Sequence, residues 1–341
     1  MGASVPPSVP PSVSVFGAAG FTGALTARLL YRHPGFELRA LTARSDAGCR
    51  LDELFPRHRV PVTLEELDLD RHADVDAAVL AYPHGAAAPL AATLRERGVR
   101  VVDLSADFRL RERSVYEHWY REHPAPELLA ESVYGLPELY RERIRDADLV
   151  ANPGCFPTAA LLALAPLARA GLIEDVVIDA KTGVSGAGRA ATERTHFVSV
   201  DENVSAYGVP RHRHTPEIEQ ELAAVGARVH VTFTPHLLPL DQGELLSCYV
   251  TVAGDGADAA QHSQLFADAY ADEPFVELAS APPGVRDVRE TNLCRISVHP
   301  DARTGRVIVF AAIDNLWKGA ASQAVQNLNL MFGLPESAGI A

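Results

Sequence analysis

The sequence predicts an α/β protein of two domains. One is built from parallel strand–helix–strand units, and the other is an α+β domain on a mostly antiparallel sheet. Three observations carry this. A short apolar strand, a glycine-rich turn and an apolar helix follow one another over residues 12–31. Strand and helix patterns then alternate to about residue 155, as βαβ units do. Beyond it strands recur with fewer helices between them, which marks an α+β arrangement. At 341 residues the chain is long enough for both domains.

The first strand is Ser12-Val-Ser-Val-Phe16, and the helix after it starts at Ala24. Between them Gly17-Ala-Ala19-Gly20-Phe21-Thr22-Gly23 has the G-x-x-G-x-x-G spacing of a Rossmann phosphate loop. Glycines let the backbone approach a pyrophosphate, and the helix N-terminus binds it. The second strand, residues 36–41, ends in Thr42-Ala-Arg44-Ser45. A Rossmann unit carries an acid there for a free ribose 2′-hydroxyl, whereas Arg suits a 2′-phosphate. Arg44 and Ser45 therefore predict NADP over NAD. A third strand at 76–81 ends in Tyr82-Pro83, and the helix of 86–97 follows. The strand at 98–105 leads to Ala106-Asp107-Phe108-Arg109, where Arg109 is a candidate clamp for a carboxylate or phosphate. Asp103 and Asp107 are expected to hold that loop. A short helix is expected over 116–122 and a turn at Tyr134-Gly-Leu-Pro-Glu138.

The next strand, 148–151, runs into Asn152-Pro-Gly-Cys155-Phe-Pro-Thr158 and a helix expected from Ala159. Cys155 thus sits between a strand end and a helix start, where backbone N–H groups and the helix dipole favour an anion and lower a thiol pKa. The alternative is a small buried apolar residue. A strand at 176–181 precedes Thr182-Gly183-Val-Ser185-Gly186-Ala-Gly188-Arg189, a second glycine-rich loop without a P-loop ending but able to bind an oxyanion. Strands are expected at 227–233, 244–252, 293–298 and 307–313, with helices at 216–225, 258–271 and 318–332.

A thiolate nucleophile needs a base. Arg211-His212-Arg213-His214-Thr215-Pro216-Glu217 offers one, with Thr215 as the expected N-cap, Pro216 at the first helical position and Glu217 near enough to orient a ring. Alternate residues share a face, so either both histidines or both arginines line it; a solvated surface run is the other possibility.

Composition bounds the partners. The net charge of −13 and the lack of a basic stripe argue against nucleic acid. No apolar run approaches the roughly 20 residues that cross a bilayer. Cys49, Cys155, Cys248 and Cys294 form no C-x-x-C pair, which argues against a metal or disulfide framework and suits the cytoplasm. The Pro- and Ser-rich residues 1–12 read as a disordered leader.

Together and in order, several motifs resemble the N-acetyl-gamma-glutamyl-phosphate reductase family, relatives of aspartate-semialdehyde dehydrogenase. They are the 17–23 loop, Asp103-Leu-Ser-Ala-Asp-Phe-Arg109, Tyr134-Gly-Leu-Pro-Glu138, residues 151–158, residues 183–189, His212-Arg-His-Thr-Pro-Glu217 and Asp314-Asn315-Leu-Trp-Lys318-Gly-Ala-Ala321. The resemblance implies NADP-dependent reduction of an acyl phosphate to an aldehyde through a Cys155 thioester, in arginine biosynthesis. It implies His214 as base, with His212 less favoured and Glu217 orienting. Arg109, Asn152, Ser185, Arg189 and His212 would hold substrate. Coenzyme would meet Gly17, Ala19, Gly20, Phe21, Thr22, Gly23, Arg44, Ser45, Pro83, Ser185, Gly186, Asn315 and Lys318, with no metal. Residues 13–154 and 316–341 would form the coenzyme domain, and 155–315 the catalytic and oligomerising domain of a homodimer or homotetramer. One departure stands out: where the family has Arg-Gly after Phe-Thr-Pro-His-Leu, this chain has Asp241-Gln242-Gly243-Glu244. Gln242 cannot supply the positive charge, so a related aminoadipyl or carrier-protein-linked acyl phosphate is an alternative. A non-catalytic NADP-binding sensor or scaffold is another.

Overall fold

A computed structural model of the chain describes residues 9–253 and 259–341. The expected leader falls largely outside the described residues. Its last residue does not: Ser12 opens the first strand, tied through its amide and hydroxyl to Asp76 Oδ2 at 2.7 Å. Asp258, expected to open a helix, also lies outside them; the helix is described from Ala259 to Tyr270.

The chain divides into two compact units, Met1–Pro153 with Ala320–Ala341, and Gly154–Gly319. The first holds a sheet of seven strands: β1 (Ser12–Phe16), β2 (Glu37–Thr42), β3 (Leu64–Glu65), β4 (Ala77–Leu80), β5 (Arg100–Asp103), β6 (Val133–Tyr134) and β7 (Leu149–Ala151). Their order is β3-β2-β1-β4-β5-β7-β6, and every pairing is parallel. Parallel strands are covered on both faces, so they read as continuous apolar runs; β4, Ala-Ala-Val-Leu, is buried at all four positions. Connections run outward from β1 to β2 and back across to β4. The carboxyl ends of β1 and β4 therefore flank the switch point, where ligands bind in open α/β sheets. The helix expected over 116–122 lies earlier, at Arg113–Trp119.

The second unit holds a mixed sheet of β8 (Ile173–Thr182), β9 (Ser205–Ala206), β10 (Val231–Leu237), β11 (Glu244–Val252), β12 (Val276–Leu278), β13 (Cys294–Asp301) and β14 (Arg306–Ile313), in the order β12-β13-β14-β11-β8-β10-β9. Four of its pairings are antiparallel; β8–β10 and β12–β13 are parallel. Helix Cys155–Arg169 packs on β11, β14 and β8, and on helices Thr215–Val225 and Ala259–Tyr270. Every residue from Phe156 to Ala168 is buried, so it is apolar all round and forms the core of its unit. It starts four residues earlier than the sequence suggested. Pro157 is tolerated in the first turn, where its missing N–H has no intrahelical partner anyway.

Candidate active site

In the second unit Gly154 is the N-cap and Cys155 the first helical residue. Cys155 is half-buried. Its thiol lies at the positive end of the helix dipole, which stabilises a thiolate. The turn is clamped from both sides. Glu217 Oε1 accepts a hydrogen bond from the Gly154 amide at 2.9 Å, and Thr158 Oγ1 donates to the Gly154 carbonyl at 3.0 Å. Two glycines are required by close approach. A Cβ on Gly154 would fall 2.6 Å from His214 Nε2, and one on Gly319 would fall 2.8 Å from Cys155 Cβ. The His214 ring therefore lies directly on the residue that precedes the thiol. The remaining thiols are poor nucleophile candidates where buried: burial pushes Cys248 up to about 12.

The histidine segment resolves one open alternative. His212 and His214 are half-buried while Arg211 and Arg213 are exposed, so the histidines line the inner face. Their rings are 4.9 Å apart, and each meets the Phe156 ring, at 5.7 and 5.8 Å. His212 Nδ1 accepts from the His214 amide at 3.2 Å. Burial, helped by Arg213 and Arg194, pulls His212 down to about 4, so it is neutral at pH 7. That suits a positioning role better than that of a base. His214, not Thr215, is the N-cap of helix Thr215–Val225. Thr215 and Pro216 instead occupy its first two helical positions.

Ser185 is buried, whereas Gly186 and Arg189 are exposed. Asn315 joins two loops: its Oδ1 accepts from the Gly243 amide at 2.7 Å and its Nδ2 donates to Ser185 Oγ at 3.0 Å. Lys318 is fully buried, with Nζ 5.7 Å from the Phe275 ring centroid. It lies within the second unit, Gly154–Gly319.

Three residues escaped the sequence reading. Glu244, at the start of β11, is completely buried, and burial raises its carboxyl to about 8 against the opposing influence of the neighbouring Cys155 thiol and Thr182 hydroxyl. Tyr207 is raised by burial and by the negative charge of Cys155 and Glu244. Arg289 donates from Nη2 to the Gln242 carbonyl at 3.0 Å, placing a cation beside Gln242. Glu244 had a signal: it is the acid that opens an otherwise apolar strand, Glu-Leu-Leu-Ser-Cys-Tyr-Val.

In the first unit the 17–23 loop fits a dinucleotide phosphate. Gly17 has φ +89°, and a Cβ there would fall 2.6 Å from the Ala81 carbonyl oxygen. One on Gly23 would fall 2.4 Å from the Gly17 carbonyl oxygen. Ala19 and Gly20 complete the turn, Gly20 caps helix Phe21–Tyr31, and Phe21 and Thr22 are its first residues. The amides at this helix N-terminus can thus be approached closely, since the glycines carry no side chain. Arg44 and Ser45 are exposed after β2, and Pro83 is exposed after β4. The Arg44 guanidinium carbon is 6.0 Å from the Tyr82 ring centroid, and Ser45 Oγ donates to Asp46 at 3.0 Å.

Two expected substrate contacts are engaged in holding the fold. Buried Arg109 donates from Nε to the Asn152 carbonyl and from Nη2 to the Leu104 carbonyl, each at 2.8 Å. Buried Asn152 donates to the Ala320 carbonyl at 3.2 Å and accepts from Asn327 at 3.0 Å. A buried polar group must be hydrogen-bonded, and here the partners are backbone and the C-terminal helix. Asp107 holds its loop through the Gly85 and Ala88 amides, at 2.6 and 3.0 Å, and the Tyr116 hydroxyl at 2.8 Å. Among the described residues no cluster of three or more His, Cys, Asp or Glu side chains could hold a metal ion.

Comparison with known proteins agrees with this arrangement. Residues 12–147 match the family model for the semialdehyde dehydrogenase NAD binding domain, and residues 155–315 that for the semialdehyde dehydrogenase dimerisation domain. Over 336 residues the chain is 51% identical to N-acetyl-gamma-glutamyl-phosphate reductase of Alkalilimnicola ehrlichii, and over 339 residues 50% identical to that of Desulforudis audaxviator. Each alignment covers 96% of this chain and 97% of the relative. Among solved structures, aspartate semialdehyde dehydrogenase II of Vibrio cholerae complexed with ASA superposes with a TM-score of 0.72 at 21% identity, over 95% of this chain and 98% of that one. Aspartate semialdehyde dehydrogenase of Candida albicans with NADP gives 0.67 at 15% identity, with the same coverage. These two likenesses concern the fold alone.

Proposed function

Because the chain belongs to the semialdehyde dehydrogenase family, among its N-acetyl-gamma-glutamyl-phosphate reductases, we propose that it reduces N-acetylglutamyl 5-phosphate to N-acetylglutamate 5-semialdehyde and phosphate in arginine biosynthesis, using NADPH. The observation that carries the chemistry is Cys155 on the first turn of a buried helix, its turn held by Glu217 and covered by His214.

The thiolate of Cys155 attacks the acyl carbon; the C–S bond forms as the bond to the phosphate oxygen breaks, leaving a thioester. When bound, the coenzyme supplies a hydride to that carbon. Collapse of the resulting thiohemiacetal frees the aldehyde and returns the thiol. His214 moves the protons, and His212 fixes its backbone. Amides of the first helical turn stabilise the oxyanion. The 17–23 loop would hold the coenzyme pyrophosphate, and Arg44 the 2′-phosphate. Ser185 and Arg189 are proposed to hold the anionic ends of the substrate. A homodimer or homotetramer in the cytoplasm completes the reading, supported by the match to a dimerisation domain and by four cysteines without a disulfide.

Replacing Cys155 by Ser is expected to lower phosphate-dependent NADP reduction by the semialdehyde by at least about 10³-fold, since a hydroxyl is a far weaker nucleophile at pH 7. Residual activity within tenfold of the unsubstituted enzyme would sink the thioester route. Buried Gln242 and Glu244 favour one second reading, a related acyl group. Comparison of kcat/KM across N-acetylglutamyl, aminoadipyl and carrier-linked semialdehydes separates the two.

A further inference from the structure

Glu244 is the acid that the mechanism above leaves unused. It opens β11, where its backbone pairs with Thr182 of β8 on one side and Ile313 of β14 on the other. The side chain is fully buried, and neither carboxyl oxygen closes a hydrogen bond of normal geometry among the described residues. The groups that act on it are the Cys155 thiol from the helix, the Thr182 hydroxyl from β8, the Asp314 carboxylate after β14, and Tyr207 beside β9. None of these is a cation. A buried carboxylate without a cation has only one economical state, which is to hold a proton.

We propose that Glu244 is the proton-sharing partner of Cys155, so that the pair carries a single negative charge at neutral pH. The inference rests on the reading of Cys155 as the nucleophile. In the exchange, the S–H bond of Cys155 breaks and the O–H bond of the Glu244 carboxyl forms. No proton leaves the pair, and the resulting neutral acid can donate to the thiolate. Burial chiefly, with the Asp314 charge, keeps the Glu244 proton up to about 8 against the pull of the Cys155 thiol and the Thr182 hydroxyl, so the acid form is available at neutral pH. A thiolate beside the buried Glu244 carboxylate repels it, so the second proton leaves the pair at a more alkaline pH than the first. The two steps belong to the pair rather than to either residue. The arrangement gives the thiolate a hydrogen-bond donor inside a site whose other acids could only oppose it.

The test is the rate of Cys155 alkylation by iodoacetamide against pH in the full-length enzyme, with the labelled site read by mass spectrometry. This readout needs neither substrate nor turnover. Wild-type reactivity is expected to rise in two separate steps. Glu244→Gln is expected to lose one and titrate in a single step, and Glu244→Asp to keep both at displaced positions. Coincident profiles for wild type and Glu244→Gln overturn the proposal. So does a single step in the wild type, which needs no variant to fold. A thiol unreactive at every pH removes the nucleophile assignment itself, a distinct result.

Discussion

At the scale of single residues, the site depends on atoms that are missing as much as on those present. Gly154 is the sharpest case, because a methyl group there would meet the His214 ring at 2.6 Å. The ring must then move, and it covers the turn that carries Cys155, the proposed nucleophile. Misplacement by about 1 Å can cost on the order of 10²-fold in rate. Gly154→Ala is therefore expected to lower kcat by about 10²-fold while the melting temperature falls only modestly, measured by steady-state kinetics beside thermal denaturation. A fall in melting temperature with unchanged kcat would show that His214 is not needed where it lies. The turn that carries Cys155 was legible in the sequence, because strand, Asn-Pro-Gly turn and helix follow in plain order. Glu244 was not, because its significance comes from register: β11 must lie beside β8 before Glu244 can meet the helix that starts at Cys155. The structural partners of Arg109 and Asn152 were hidden for the complementary reason. Polar residues at strand ends face ligand crevices in general, but these two find backbone and side-chain partners that only the folded chain provides.

At the scale of elements, the 17–23 loop proposed to hold coenzyme lies in a strand–turn–helix unit whose conformation is written in Gly17. A φ of +89° and the Ala81 carbonyl 2.6 Å from any Cβ exclude a side chain. Gly17→Ala is expected to destabilise the protein by about 1–3 kcal/mol, the usual cost of a strained backbone position. It should also weaken NADPH binding, with urea unfolding and coenzyme fluorescence as the two measurements. Arg44 tests the coenzyme's identity separately. Arg44→Ala should raise the KM for NADPH by about tenfold and leave that for NADH unchanged, as loss of one exposed charge-assisted contact predicts; equal effects on both would remove the 2′-phosphate assignment. This unit was readable from sequence because all its parts are local. The start of the Cys155 helix was less so: it was expected from Ala159 and lies at Cys155, where a first-turn proline is compatible with helix. The mixed character of the second sheet was also hidden, since the parallel β8–β10 and β12–β13 pairings require crossovers that strand patterns do not specify.

At the scale of the whole molecule, buried titrating groups pull stability in opposite directions. His58 and His212 are both lowered from 6.5 to about 4, chiefly by burial. The unfolded chain binds their protons first, so their contribution is complete above about pH 6.5 and is lost as pH falls towards 4. Asp103 and Glu244 act the other way. Their carboxyls are raised from 3.8 and 4.5 to about 7 and 8, again chiefly by burial. The folded chain therefore keeps protons that the unfolded one releases, and stability declines as pH rises through that interval. Glu244→Gln is expected to leave the melting temperature unchanged at pH 4, raise it progressively to about pH 8, and hold the gain above that. A uniform shift at every pH would mean that Glu244 acts through packing alone.

One feature of the second unit bears on how the enzyme ages and fails. Helix ends ordinarily fray, and their amides exchange with solvent long before the fold opens. Here the first turn carries the Cys155 sulfur, while the Glu217 carboxylate from another helix grips the Gly154 amide and the rest of the helix is the core of its unit. The thiol thus has no private route to disorder. Its amide neighbours should exchange deuterium only in step with the unit's global opening, and alkylation of Cys155 becomes a gauge of the integrity of everything packed behind it.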